Sequence, residues 1–165
     1  QIVNQYKEWA NDYQENRITI IYDTMWNGTR RMAEVIAEGI EEADKEVVVR
    51  VHNVAQSDKN DIIVDIFKSK ALLVGSPVIN RGISFATAGL LEMIKGLGFK
   101  NKKAAAFGCY GWSGENLKII NEALKDGGFT LVDEGIQVLW NPGDEILQRC
   151  RMYGKTFVEK LNQFE

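Results

Sequence analysis

The six residues Thr24-Met25-Trp26-Asn27-Gly28-Thr29 put two hydroxyls, an amide and a glycine into one turn. Before the turn, Ile18-Thr19-Ile20-Ile21-Tyr22 is β-branched or aromatic throughout, the composition of a buried parallel strand. After it, Met32, Val35, Ile36 and Ile40 recur at a helical period. Strand, polar turn and helix together aim backbone N–H groups and the positive end of a helix dipole at one point, where a phosphate binds well. The turn lacks Gly-x-x-x-x-Gly-Lys-Ser/Thr, so a nucleoside triphosphate would miss its lysine and its metal ligand. It also lacks Gly-x-Gly-x-x-Gly, the dinucleotide pattern. Neutral donors without a lysine suit a phosphate monoester. The alternative is an ordinary βα turn with Asn27 or Thr29 as helix N-cap.

Two further loops follow apolar runs and carry residues unusual in plain connections. After Ala71-Leu72-Leu73-Val74 come Ser76, Pro77, Val78, Ile79, Asn80, Arg81 and Gly82. After the run at 103–107 come Tyr110, Gly111, Trp112, Ser113 and Gly114. The second loop offers backbone groups that can approach a flat polar ring edge closely. The third offers aromatic faces, to which Trp26 adds another, for a planar ring to stack on. Gly-Trp-Ser-Gly can also be read as a bare turn into a helix capped by Ser113. A phosphate cradle, a polar edge and aromatic faces on one sheet edge are together explained by a flavin mononucleotide (FMN) site. Arg81, if beside the pyrimidine edge of such a ring, would favour its anionic reduced form and raise its reduction potential; a solvated loop arginine is the alternative.

The rest of the chain positions these loops. Helical spacing follows the first turn over residues 29–43, and a β-branched run covers 47–54. Ser57 offers an N-cap for a helix through Ile62, Ile63, Ile66 and Phe67. Leu90, Leu91, Ile94 and Leu97 mark another helix, and Leu117, Ile120 and Leu124 a further one closed by Asp126-Gly127-Gly128. Residues 130–138 read as one last strand. Asn141-Pro142-Gly143-Asp144 then supplies an N-cap, an N1 proline and an acidic first turn. Ile146, Cys150, Tyr153, Phe157 and Leu161 give the closing helix one apolar stripe. Five strands alternating with helices predict an α/β fold, a five-stranded parallel sheet with helices on both faces. Ligands of such sheets sit beyond the carboxyl ends of the strands, where all three loops fall.

Composition narrows the function. With 165 residues, 45% of them hydrophobic, the chain has length for one core, and its net charge of −3 points to neither nucleic acid nor an anionic membrane. No apolar run approaches the roughly 20 residues of a membrane span. Cys109 and Cys150 form no metal or redox spacing, and no signal peptide is visible, so the cytoplasm is the expected location. His52 is the only histidine, which leaves little for a metal site or a histidine-dependent nucleophile, and it reads as structural. Val3, Tyr6, Trp9, Ala10 and Tyr13 recur at helical spacing ahead of the first strand.

The turn at 24–29 resembles the flavodoxin phosphate loop, Thr/Ser-x-Thr-Gly-x-Thr, with Asn27 where many flavodoxins have threonine. Tyr22-Asp23-Thr24-Met25, Gly75-Ser76-Pro77 and Tyr110-Gly111-Trp112-Ser113-Gly114 resemble the flavodoxin-like domain of flavodiiron proteins. Residues 18–31 with Asn53-Val54-Ala55-Gln56-Ser57-Asp58-Lys59-Asn60 look closest to the flavorubredoxin branch, which reduces nitric oxide anaerobically. The resemblance implies a flavodoxin-like fold of strand order 2-1-3-4-5 that binds FMN through the three loops. It implies residues 1–17 as a connector from a di-iron domain and residues 18–165 as the flavin domain. It further implies a relay of electrons from a rubredoxin, a rubredoxin reductase-type or another NADH-linked donor. The acceptor would be a di-iron β-lactamase-like domain, of the same or a neighbouring subunit, that reduces nitric oxide or oxygen. Two rival readings are a stand-alone flavodoxin or FMN-dependent quinone reductase, and a flavodoxin-like interaction domain without a ligand.

Overall fold

The computed structural model describes residues 2–5 and 13–164. Residues 2–5 are helical and exposed. Of the aromatic connector expected ahead of the first strand, Tyr6, Trp9 and Ala10 lie outside the described residues, while the Tyr13 ring stacks on Phe67 with centroids 5.8 Å apart.

The sheet consists of β1 (Glu15–Tyr22), β2 (Val48–Asn53), β3 (Ser69–Gly75), β4 (Lys103–Tyr110), β5 (Thr130–Leu131) and β6 (Ile136–Leu139). The helices are α1 (Gly28–Ala43), α2 (Lys59–Lys68), α3 (Phe85–Leu97), α4 (Asn116–Asp126) and α5 (Asp144–Asn162). The order is β2-β1-β3-β4-β5 with β6 also beside β4, and every one of these pairings is parallel. This is the expected 2-1-3-4-5 sheet with its fifth strand in two pieces.

Period-two alternation sorts the core into two layers. Ile18, Ile20, Leu73, Ala105 and Phe107 face α1 and α5, while Ile21, Leu72, Val74, Ala104 and Ala106 face α2, α3 and α4. Within the first layer α1 and α5 pack closely because they meet at glycines. A Cβ on Gly39 would stand 2.0 Å from the Arg151 carbonyl oxygen, and one on Gly154 2.3 Å from that of Ile36. The apolar stripe of α5 lies in this contact, with Cys150, Phe157 and Leu161 buried and Ile146 and Tyr153 packed against them.

Several expected boundaries move, each for a local reason. β1 starts at Glu15 instead of Ile18, because Arg17 joins Glu15 at 2.9 Å and also pairs with Asp65, so polar residues are satisfied on a strand. His52 Nε2 meets the same Asp65 carboxylate at 2.7 Å, a structural placement for the single histidine. α2 is capped by Asp58, whose carboxylate accepts from the Asn60 N–H at 2.7 Å, and Ser57 lies one residue outside. β4 runs on to Tyr110, past the expected end at 107, since Cys109 and Tyr110 pair with Val138 and Leu139. The last strand breaks at residues 132–135, where Gly135 takes φ 96 and donates its N–H to Asp133 at 2.8 Å. A Cβ at Gly135 would fall 2.0 Å from the Ala106 carbonyl oxygen, so the bend requires glycine. α4 is preceded by Glu115, not capped by Ser113, and α5 begins at Asp144 with Gly143 as N-cap. Pro142 is outside α5 because its carbonyl is tied to α1, accepting from Arg31 Nη1 at 2.8 Å. Among the described residues, no helix is long and apolar enough to cross a membrane.

Candidate functional site

The turn after β1 delivers an uncapped helix. Asn27 occupies the N-cap position of α1 in a left-handed conformation, φ 62, and its side chain makes no capping bond. No acidic residue lies in the first turn of α1. By contrast, Asp58 and Ser84 cap α2 and α3 through their side chains. The ordinary-turn alternative, with Asn27 or Thr29 capping the helix, is therefore not what this turn does. Thr24 Oγ1 and Thr29 Oγ1 are buried on the same turn and have no hydrogen-bond partner. Burying a hydroxyl unpaired is costly, so two at one point, beside open helix N–H groups, mark a place built for an acceptor-rich guest.

The loop after β3 holds its shape by hydrogen bonds of its own. Ser76 is fully buried; its Oγ donates to the Pro77 carbonyl and accepts from the Ser84 N–H, both at 2.9 Å. Asn116 Nδ2 donates to the Ser76 and Cys109 carbonyls at 2.8 and 3.2 Å, joining the second loop to the third. Beyond Pro77 the chain makes a two-residue hairpin. Ile79 and Gly82 exchange N–H···O bonds at 3.0 and 2.8 Å across Asn80 and Arg81. Both central residues have positive φ, 50 and 62, as a type I′ turn demands. Asparagine suits that position, whereas Arg81 bears it at a cost of about 1 kcal/mol.

The third loop contributes Tyr110, Gly111, Trp112 and Ser113, with Trp112 93% exposed. Trp112 meets Trp140 edge-on, with ring centroids 5.1 Å apart and planes at 81°. Beneath the loops, the Cys109 thiol lies between Met32, 3.4 Å from its sulfur, and Gly28. Burial pushes this thiol up, with the nearby Thr29 hydroxyl acting the other way, so it stays protonated at neutral pH.

The three loops enclose one cleft of about 700 Å³ at the carboxyl edge of the sheet. Thr24, Met25, Trp26, Gly28, Thr29, Pro77, Val78, Ile79, Asn80, Arg81, Tyr110, Gly111, Trp112 and Ser113 line it. Asn27, Ser76, Gly82 and Gly114 do not: the first shapes the turn, and the next two brace the second loop. Gly114 accepts from Gln137 Nε2 at 2.8 Å on the outer side. Cys109, Trp140 and Asn141 line the cleft as well, although neither Trp140 nor Asn141 was expected there. The available signal was their position, just beyond the carboxyl end of the last strand. Arg81 is the only charged side chain among the lining residues.

Comparison with known proteins settles the family. The flavodoxin family model matches residues 20–154. The chain belongs to the flavodoxin family. Within it, the chain is 48% identical over 155 residues to the anaerobic nitric oxide reductase flavorubredoxin of Klebsiella pneumoniae, covering 94% of this chain and 32% of that protein. It superimposes on rubredoxin:oxygen oxidoreductase from Desulfovibrio gigas with a TM-score of 0.90 at 34% identity, covering 98% of this chain and 40% of that one. An archaeal flavodoxin aligns with a TM-score of 0.78 at 28% identity, over 88% of this chain and 99% of that one. The chain thus spans about a third of the length of the curated relatives it matches. Flavodoxin domains of this kind bind FMN. The residues present in this flavodoxin domain fit that cofactor: two unpaired hydroxyls at an uncapped helix for the phosphate, and a tryptophan-walled cleft for a planar ring. Among the described residues, no group of three or more His, Cys, Asp or Glu side chains is placed to hold a metal ion.

Proposed function

We propose that this chain is the electron-transfer domain of a longer flavodiiron protein of the flavorubredoxin type. The observation that carries the reading is the pair of buried, unpartnered hydroxyls on Thr24 and Thr29 facing an aromatic-walled cleft. In this reading the two hydroxyls and the first-turn N–H groups of α1 take the phosphate. The hairpin at residues 79–82 presents its backbone to the polar edge of the ring, and Trp112 offers its face for stacking. FMN, when bound, supplies one- and two-electron redox chemistry, while the protein binds it, orients it and shields one edge.

The relatives' names speak of nitric oxide reductase and of rubredoxin:oxygen oxidoreductase. By extension, the donor is a rubredoxin or an NADH-linked reductase of that type. The acceptor is the di-iron site of a β-lactamase-like domain, in the same or a neighbouring subunit, which reduces nitric oxide or oxygen. Residues 1–17 would then be the connector between the two domains. The free thiols of Cys109 and Cys150 accord with a reducing cytoplasm.

The experiment is anaerobic mixing of the FMN-loaded chain with chemically reduced rubredoxin in a stopped-flow instrument. Bleaching of the flavin band together with reoxidation of rubredoxin is the expected result. No exchange with rubredoxin, alongside steady NAD(P)H-dependent quinone reduction by the chain alone, would instead make it a quinone reductase.

A further inference from the structure

The turn leading from β6 into α5 reaches the cleft through two consecutive residues, Trp140 and Asn141. Trp140 holds its backbone at φ 57, a left-handed conformation unusual for a bulky side chain. Such strain persists where the surroundings over-determine it, and it clusters at binding sites. Here the surroundings are one loop. The Trp140 N–H donates to the Tyr110 carbonyl at 2.7 Å. Its ring meets Trp112 edge-on at 5.1 Å. Gly111 makes room for that ring, since a Cβ there would come within 3.2 Å of Trp140 Cζ3. Trp140 is therefore braced against the three consecutive residues that carry the exposed tryptophan face.

Asn141 turns the other way, towards the start of α1. Its Oδ1 lies 3.3 Å from where a Cβ on Gly28 would stand, and Pro142 Cδ is equally close. The Pro142 carbonyl accepts from Arg31 Nη1 at 2.8 Å, which ties the turn to the helix whose N-terminus is uncapped. One short turn thus touches both halves of the site, the aromatic wall and the phosphate turn.

We infer that residues 140 and 141 form a fourth wall of the flavin site. Trp140 is a positioning residue that sets the angle of the Trp112 ring, and the Asn141 amide is a contact for the phosphate. The inference rests on the FMN reading above and goes beyond it by dividing the labour between two neighbours. A plain structural role, in which the turn only covers β4 and α1, would not separate a ring effect from a phosphate effect.

Riboflavin, which has the ring and lacks the phosphate, makes the separation. The flavin-free chain and its variants are titrated with FMN and with riboflavin, following flavin fluorescence. Trp140→Gly keeps the left-handed backbone and removes the ring. It is expected to weaken both flavins by a similar factor, about three- to tenfold, and Trp140→Phe to regain most of the loss. Asn141→Ala is expected to weaken FMN about three- to tenfold and leave riboflavin unchanged. Should Trp140→Gly fail to fold, Trp140→Leu replaces it, keeping apolar bulk without an aromatic edge. Wild-type affinities in Trp140→Gly or Trp140→Leu overturn the inference, as does an Asn141→Ala chain that keeps its FMN affinity or loses both flavins equally. A wild-type chain that takes up neither flavin contradicts the FMN reading itself, and the inference falls with it.

Discussion

Gly28 and Cys109 meet across the floor of the cleft: a Cβ added to Gly28 would stand 2.9 Å from Cys109 Sγ. The end of β4 thereby sets how closely the first turn of α1 can approach the sheet. The sulfur has little room to yield, with Met32 Sδ 3.4 Å away on its other side. Gly28→Ala is therefore expected to displace the phosphate turn, costing about 1–3 kcal/mol of stability and weakening FMN binding. Adding Cys109→Ala should return part of the loss. A double-mutant cycle by chemical denaturation should give a coupling of at least about 0.5 kcal/mol, and strict additivity would place the obstruction elsewhere.

The Thr24 hydroxyl has no hydrogen-bond partner among the described residues, and the Thr29 hydroxyl has only the Cys109 thiol near it. Replacing either by valine keeps the shape and removes a buried unpaired group, so the flavin-free chain should gain up to about 1 kcal/mol or stay unchanged. FMN affinity should fall about tenfold for each, while riboflavin affinity holds. Thermal unfolding without flavin and titration with both flavins test the two halves. Destabilisation without a change in FMN affinity would assign the hydroxyls to the fold.

Arg81 sits at the second position of the type I′ hairpin with its side chain exposed. Asparagine tolerates the left-handed backbone, so Arg81→Asn removes the charge and keeps the turn. A charge at such a site is worth about 0.5–1 kcal/mol to an anionic ring, or about 10–20 mV in a two-electron midpoint. A redox titration should show the potential lowered by that amount. An unchanged midpoint would leave Arg81 as a solvated loop residue.

Beside the Cys109 thiol, two more groups raised by burial make the fold sensitive to alkali. Burial pushes the Cys150 thiol from about 9 up to about 11. Burial, reinforced by the Asp133 carboxylate that accepts its hydroxyl proton at 2.7 Å, also pushes the Tyr153 phenol up. Both groups stay neutral in the folded state at pH values where the unfolded chain has already released their protons. Stability is therefore full below about pH 9 and falls as pH rises from there through the folded values. Chemical denaturation from pH 7 to 11 should show this decline, with a shallower slope for Cys150→Ala. Equal slopes would mean that the Cys150 thiol ionises alike in both states.

The strand–turn–helix over β1 and α1 was legible because a β-branched run and a 3.6-residue period meet at a polar turn. The alternation of strands and helices likewise gave the sheet, and the loops at its carboxyl edge followed from topology. What the sequence hid was set by contacts distant along the chain. The bend at residues 132–135 lies inside an apolar spacing and depends on Gly135 passing close to Ala106. Ser76 and Gly114 sit in motif positions, and the hydrogen bonds that tie them to their own loops are invisible in the sequence. Asn141 reads as the approach to a helix, since Asn-Pro-Gly is a turn signal whatever the turn faces, and nothing in the spacing singles out Trp140 before it. Only the pairing of β6 with β4 brings that turn beside Tyr110 and Gly111.

The most direct test of the central claim is an equilibrium titration of the flavin-free chain with FMN, followed by absorbance and by flavin fluorescence. The expected result is saturation at one FMN per chain, with FMN bound more tightly than riboflavin through the proposed hold of the Thr24 and Thr29 hydroxyls on its phosphate. A chain that leaves both spectra unchanged at every FMN concentration would contradict it.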